Sequence, residues 1–209
     1  MRRQIVLATK NPGKLREIAQ VLENLAVEVI SLADVSLIEE PEETGATFAE
    51  NARQKASYYA RATGKWCLAD DSGLVVDALA GRPGVYSARY AADRCEESAD
   101  RETIDQANND KLLEELADIP GQDRTARFVC HLALADSDGQ AVLLESCGSI
   151  EGQIATSPAG SNGFGYDPLF FLPQRGCTTA ELSAEQKNHI SHRGQAVRQF
   201  AEKLKSLLE

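Results

Sequence analysis

The chain of 209 residues is 43% hydrophobic, enough for a sizeable core in one domain or two closely packed lobes. A formal net charge of −10 argues against general binding to DNA, RNA or anionic membranes, whose phosphates attract Lys/Arg surfaces; it leaves room for one anionic small molecule at a local basic site. The cysteines, Cys67, Cys95, Cys130, Cys147 and Cys177, are odd in number and form no C-x-x-C pair, which predicts reduced thiols and a cytoplasmic setting. The short apolar run in "MRRQIVLATKN" predicts neither a signal peptide nor a membrane span.

In chain order, "QIVLAT" (4–9) reads as a buried strand. "NPGKLREIAQVLENL" reads as a helix with Leu15, Ile18, Ala19 and Leu22 on one face, Asn11 as N-cap and Pro12 at its first position. "VEVISL" (27–32) is a second strand, followed by an acidic loop to Gly45. Residues 46–64 read as a helix stopped by Gly64. "KWCLAD" and "GLVVDAL" read as strand, with Ser72-Gly73 between them. A Gly/Pro loop (80–90) and a helix (100–117) come next. Two alternating runs, 126–136 and 141–154, flank the turn "SDGQ" and predict an antiparallel hairpin. "SPAGSNGFGYDPLFF" is a Gly-rich loop entering a short strand, and 180–208 is helical with an interruption at 191–194. Mixing crossover-like and hairpin-like connections predicts an α/β fold on a mixed sheet.

Several segments carry possible chemistry. "TKNPGK" (9–14) lies where a strand becomes a helix, whose free N–H groups and positive dipole end favour an anion. Lys14, Lys10 and Thr9 add donors there; the alternative is an ordinary capped helix start with solvated lysines. The acidic run Glu39, Glu40, Glu42 and Glu43 is either a solvated loop or part of a Mg²⁺ site built from one or two carboxylates and substrate phosphate oxygens. In "LADDSGL" a regular strand would send Asp70 and Asp71 to opposite faces, so that one is tied structurally and the other faces substrate; the alternative is a turn in which both cap nearby N–H groups. "GFGYDP" (163–168) offers Phe164 and Tyr166 for stacking on a flat base, or for plugging the core. Lys187, His189, His192 and Arg193 could meet phosphate or the acceptor edge of a base, or form an exposed basic junction. Three histidines and no suitable cysteine partner argue against zinc.

Taken in order, "TKNPGK", "EETGATFAENARQKA", "LADDSGL", "GRPGVYSARY", "GSNGFGYDPLFF" and "SHRGQA" resemble the motifs of the inosine triphosphate pyrophosphatase family, the bacterial-type XTP/dITP pyrophosphatases, from about residue 4 to the C-terminal helix. The resemblance implies an elongated α/β fold, a single catalytic domain (1–209) of two lobes flanking a central cleft, assembled as a homodimer. It implies Mg²⁺-dependent hydrolysis of ITP, dITP and XTP to the monophosphate and pyrophosphate. Carried over by motif, Thr9, Lys10, Asn11, Pro12, Gly13 and Lys14 contact the triphosphate, and Lys55 faces the phosphates. Asp71 is the catalytic acid/base and a metal ligand, and the second metal carboxylate is assigned to Glu43 from its acidic run. Ser72, Phe164, Gly165, Tyr166, Asp167, Lys187, His192 and Arg193 contact substrate, and Asp70 orients its neighbours. Two rival readings remain: a nucleotide-binding sensor without turnover, and a pyrophosphatase for modified pyrimidine nucleotides.

Overall fold

In a computed structural model of the chain, residues 3–23, 25–35, 38–96 and 98–208 are described. The elements are β1 (Arg3–Leu7), α1 (Pro12–Leu22), β2 (Val27–Ser31), α2 (Phe48–Thr63), β3 (Trp66–Val76), α3 (Arg101–Glu115), β4 (Thr125–Ala135), β5 (Val142–Ile154), β6 (Phe170–Leu172), β7 (Cys177–Thr178), α4 (Ala184–Ile190) and α5 (His192–Leu208). The strands form one sheet in the order β2-β1-β3-β4-β5-β6-β7. β1 runs parallel to β2 and β3, whereas β6 is antiparallel to β5 and β7, so the sheet is mixed and the fold α/β, as expected.

Local chemistry sets the helix ends. The Asn11 side chain accepts from the Gly13 and Lys14 N–H groups at 2.8 and 3.2 Å, capping α1. Thr47 and Glu50 form a reciprocal capping box at the start of α2, and Gly64, at φ 66°, ends it in the left-handed conformation that glycine adopts without steric cost. The sequence differs from the structure at two junctions. The two runs expected around Ser72-Gly73 are one uninterrupted strand, because the sheet ladder outweighs the local turn preference of Asp, Ser and Gly. The C-terminal helical region breaks at Leu182–Ser183, before α4, and again at Ser191 alone rather than over 191–194, so His192 and Arg193 open α5.

The chain divides into two compact units: Met1–Ser72 with Cys130–Ser149 and Ser191–Glu209, and Gly73–Val129 with Ile150–Ile190. In the first, strand parity sorts the core. Ile5, Leu7 and Leu68 pack with Ile18, Leu22, Val197 and Phe200 from α1 and α5. Their neighbours Val6, Ala8, Cys67 and Ala69 pack with Ala52, Ala56, Tyr59 and Ala60 from α2. A sheet covered on both faces explains why β1 reads as a continuous apolar run rather than an alternating one. The second unit has its own core of Leu74, Val76, Leu112, Leu116, Phe128, Tyr166, Leu169 and Phe170. Each fully buried large apolar side chain contributes about 1.5–3 kcal/mol in these cores. Among the described residues, no helix is long and apolar enough to cross a membrane.

Candidate active site

The alternation that sorts the first unit's core continues into its polar residues. Asp70 follows Trp66 and Leu68 on the face covered by α1 and α5, and Asp71 follows Cys67 and Ala69 on the face covered by α2. Two adjacent carboxylates, both buried, thus enter two unrelated surroundings.

Asp70 is saturated with partners. Lys14 from α1 donates to its Oδ1, and Arg193 Nε from α5 donates to Oδ2 at 2.9 Å. The Ser72 hydroxyl and the Cys130 thiol donate at 2.7 and 3.2 Å. Burial alone would raise the Asp70 pKa; Lys14 and Arg193 outweigh it and hold the carboxylate well below its ordinary range. Arg193 is itself only 2% exposed. Its Nη1 pairs with Glu17 at 2.6 Å and its Nη2 donates to Ser72 Oγ at 2.9 Å. The substrate contact expected of Arg193 therefore meets a guanidinium already held by two carboxylates, and the Ser72 hydroxyl is likewise taken up between Arg193 and Asp70. In this geometry both residues brace the strand that carries Asp71. His192 is buried beside them at the first position of α5.

Asp71 has the opposite character. Its nearest cation, Lys55 Nζ on α2, lies 4.0 Å from Oδ1 and pairs more closely with Glu43. Its Oδ2 is buried with no hydrogen-bond partner among the described residues. Desolvation dominates, and with Glu43 and Asp70 nearby it pushes the Asp71 pKa up to about 6 against the opposing pull of Lys55 and Lys14. Glu43, Asp71 and Lys55 together carry a net charge of −1 when ionised, and an unsatisfied buried carboxylate oxygen is costly unless a cation or donor meets it. Among the described residues no group of three or more His, Cys, Asp or Glu side chains gathers to hold a metal. Two carboxylates with an open oxygen do fit Mg²⁺, which keeps several waters and takes phosphate oxygens as ligands.

The acidic loop is pinned for this arrangement. Gly45 N–H donates to Asn51 Oδ1 at 2.8 Å, and Glu50 accepts from the Ala46 and Thr47 N–H groups. Asn51 and Lys55 lie one turn apart on α2, so one helix face holds both the loop's backbone and its Glu43 carboxylate.

The start of α1 corrects one expectation. The N–H groups of Asn11, Gly13 and Lys14 are not open to an anion: Thr9 Oγ1 accepts the first and Asn11 Oδ1 the other two. What favours an anion here is the helix dipole and the ammonium groups. Lys10 is exposed and loosely paired with Glu40 at 3.5 Å, while Lys14 keeps two further N–H donors beyond its bond to Asp70. Pro12 opens the helix; its side chain lies outside the described residues.

In the second unit the loop Phe164–Asp167 is braced from within. Asp167 Oδ2 accepts from Phe164 N–H at 2.8 Å and from Lys187 Nζ at 2.6 Å, and its Oδ1 accepts from Thr179 at 2.8 Å. Lys187 Nζ also sits 4.8 Å from the centre of the Phe164 ring. A side chain on Gly163, whose φ is +82°, would collide with Asp167, so this position requires glycine. Of the two alternatives for Tyr166, stacking on a base or plugging the core, the structure shows the second. Its ring is core, 4% exposed, and its hydroxyl donates to the Ser87 carbonyl at 2.9 Å.

Sequence reasoning missed Glu17 and Asn51, and also Asp105 and Asn109, which contact Gly165. Glu17 follows Lys14 by one helical turn, a spacing that marks a shared face but not what that face meets.

The Ham1 family model matches residues 5–203. A dITP/XTP pyrophosphatase of Nitratidesulfovibrio vulgaris is 52% identical over 198 residues, covering 95% of this chain and 94% of the relative. One from Geobacter sulfurreducens is 50% identical over 194 residues, covering 93% and 92%. The solved structure of a HAM1 protein from Coxiella burnetii superposes with a TM-score of 0.85 at 43% identity, covering 98% of this chain and 99% of that one. A fold, a set of side chains and near full-length likeness agree: the chain belongs to the Ham1 family.

Proposed function

We propose that this chain is a Mg²⁺-dependent nucleoside triphosphate pyrophosphatase, converting ITP, dITP and XTP to the monophosphate and pyrophosphate. The observation that carries this reading is Asp71, a buried carboxylate with an unpartnered oxygen beside Glu43 and Lys55. The names of the relatives, dITP/XTP pyrophosphatases, support the substrate class.

Asp71 and Glu43 would hold Mg²⁺, which when bound neutralises phosphate charge and lowers the pKa of a coordinated water. Asp71 orients the attacking water and takes its proton. The water oxygen bonds to the α-phosphorus, the α–β bridging bond breaks, and pyrophosphate leaves with the bridging oxygen. Lys14 and Lys10 offset the charge that develops on the leaving group, and Lys55 holds Glu43 in place. Phe164 stacks on the base. Lys187, which keeps further N–H donors beyond its bond to Asp167, offers one to a 6-oxo acceptor, where adenine would present an amino donor instead. The acidic chain is proposed to act on free nucleotides in the cytoplasm, without a nucleic acid or membrane partner, and as a homodimer.

The test is phosphate release from ITP, XTP, dITP, GTP and ATP with and without added inorganic pyrophosphatase. ITP and XTP should outpace ATP, phosphate should appear only after pyrophosphatase is added, and chelating Mg²⁺ should abolish turnover. Equal rates with ATP and ITP contradict the base assignment, and no turnover at all favours a sensor. Light scattering that returns the single-chain mass of 22.7 kDa contradicts the dimer.

Lys14→Ala should lower kcat/KM for ITP by about ten- to a hundredfold, the value of a charge-assisted contact. Because Lys14 also pairs with buried Asp70, the same variant should melt earlier. An unchanged kcat/KM removes Lys14 from the phosphate site.

A further inference from the structure

The α3 helix carries Asp105 and Asn109 four residues apart, and both close on one residue of the second unit's loop. Asp105 Oδ2 accepts the Gly165 N–H at 2.8 Å, and Asn109 Nδ2 donates to the Gly165 carbonyl at 3.0 Å. Arg101, one turn earlier, holds the other oxygen of Asp105 at 2.9 Å. Gly165 has φ +62° and no neighbouring atom near where a Cβ would stand. Both polar groups of its backbone are thus held by side chains of α3. With Gly163 also at positive φ, Phe164 sits between two permissive hinges; Asp167 holds its N–H from within the loop, and the grip on Gly165 holds the hinge that follows it. Asn109 is 8% exposed, and its Oδ1 is buried with no hydrogen-bond partner among the described residues. An unpaired buried acceptor is costly, and a leucine of similar size would avoid it; the bond to Gly165 is what asparagine adds.

We propose that Asp105 and Asn109 are positioning residues that set the nucleobase fit by gripping both polar groups of Gly165 and so fixing the Phe164 ring. The inference rests on the reading that this loop receives the base. Stacking of a base on an aromatic ring adds affinity only when the ring is presented in the right orientation. Loosening the grip should therefore weaken nucleotide binding. It should not slow the chemical step, for which Asp71, Glu43 and Lys55 supply the groups.

The experiment compares Asp105→Ala, Asn109→Leu, the conservative Asp105→Asn and the control Phe164→Ala. It measures steady-state kinetics with ITP and ATP, and hydrogen exchange at the Gly165 amide by NMR. Asp105→Ala and Asn109→Leu should raise KM for ITP by roughly five- to tenfold and narrow the preference over ATP, with kcat within about twofold. Exchange at the Gly165 amide should accelerate in Asp105→Ala. Asp105→Asn, which keeps an acceptor for that N–H, should restore most of both. A merely structural role would lower the melting temperature and leave KM unmoved. A wild-type KM in Asp105→Ala beside a raised KM in Phe164→Ala overturns the proposal, as does a Gly165 amide equally protected in Asp105→Ala. A wild-type KM in both Asp105→Ala and Phe164→Ala overturns the reading of the loop, and the proposal with it.

Discussion

Asp71→Asn should cut ITP turnover by about 10² to 10⁴, the usual cost of losing a positioned acid or base, while making the metal-free protein more stable at neutral pH. The second half follows from the raised pKa. Folded Asp71 keeps its proton up to about pH 6, whereas the unfolded side chain loses it near 3.9. Between those values the folded state binds more protons, so stability falls as pH rises through the window and the full penalty applies above it. A shift of about two units corresponds to roughly 3 kcal/mol. Asn cannot ionise, so the variant should melt above wild type at pH 8 in EDTA, with the difference shrinking toward pH 4. Added Mg²⁺ should raise the melting temperature of wild type and leave that of Asp71→Asn almost unmoved. A variant that melts below wild type at pH 8 without metal would mean that Asp71 is held by partners as Asp70 is.

Asp70→Asn should do the reverse. Removing one member of a buried charge network strands the others, here Lys14 and Arg193, at about 3–5 kcal/mol. For a chain of this size that is a drop of roughly 6–20 °C in melting temperature. The depressed folded pKa gives the pH signature: Asp70 contributes its full stability above the unfolded value near 3.9, and loses it as pH falls through the lower folded value. The variant should therefore lose much of its deficit relative to wild type in strong acid. Its turnover per folded molecule should fall far less than that of Asp71→Asn. A folded but inactive Asp70→Asn beside an active Asp71→Asn would show that the two aspartates have been assigned the wrong way round.

The opposite faces of these neighbours were legible in the sequence, because a strand's period of two needs no tertiary information. The α/β mixed sheet was legible in the same way, from apolar runs and turn residues, and the Asn11 cap from its place before Pro12. The continuation of β3 through Ser72-Gly73 was not. Turn preference is local, and the sheet neighbours that override it come from distant parts of the chain. Arg193 invites reading as a base contact because a guanidinium offers only donors, which suit an oxo acceptor. What buries it is Asp70, 123 residues earlier, and Glu17, 176 residues earlier. Tyr166 and Phe164 stand two residues apart in one Gly-rich motif. Only the carbonyl of Ser87, 79 residues away, decides that the first belongs to the core. Asp105 and Asn109 left no periodic trace either, since buried polar positions on α3 blur the apolar stripe that periodicity detects.

Attack at the α-phosphorus, breaking the bond between the α- and β-phosphates, leaves an isotopic record when ITP turns over in ¹⁸O-enriched water and the products are read by phosphorus NMR. The expected result is ¹⁸O in the nucleoside monophosphate and none in the pyrophosphate released. Label in the pyrophosphate, or inosine diphosphate with free phosphate as the products, would contradict it.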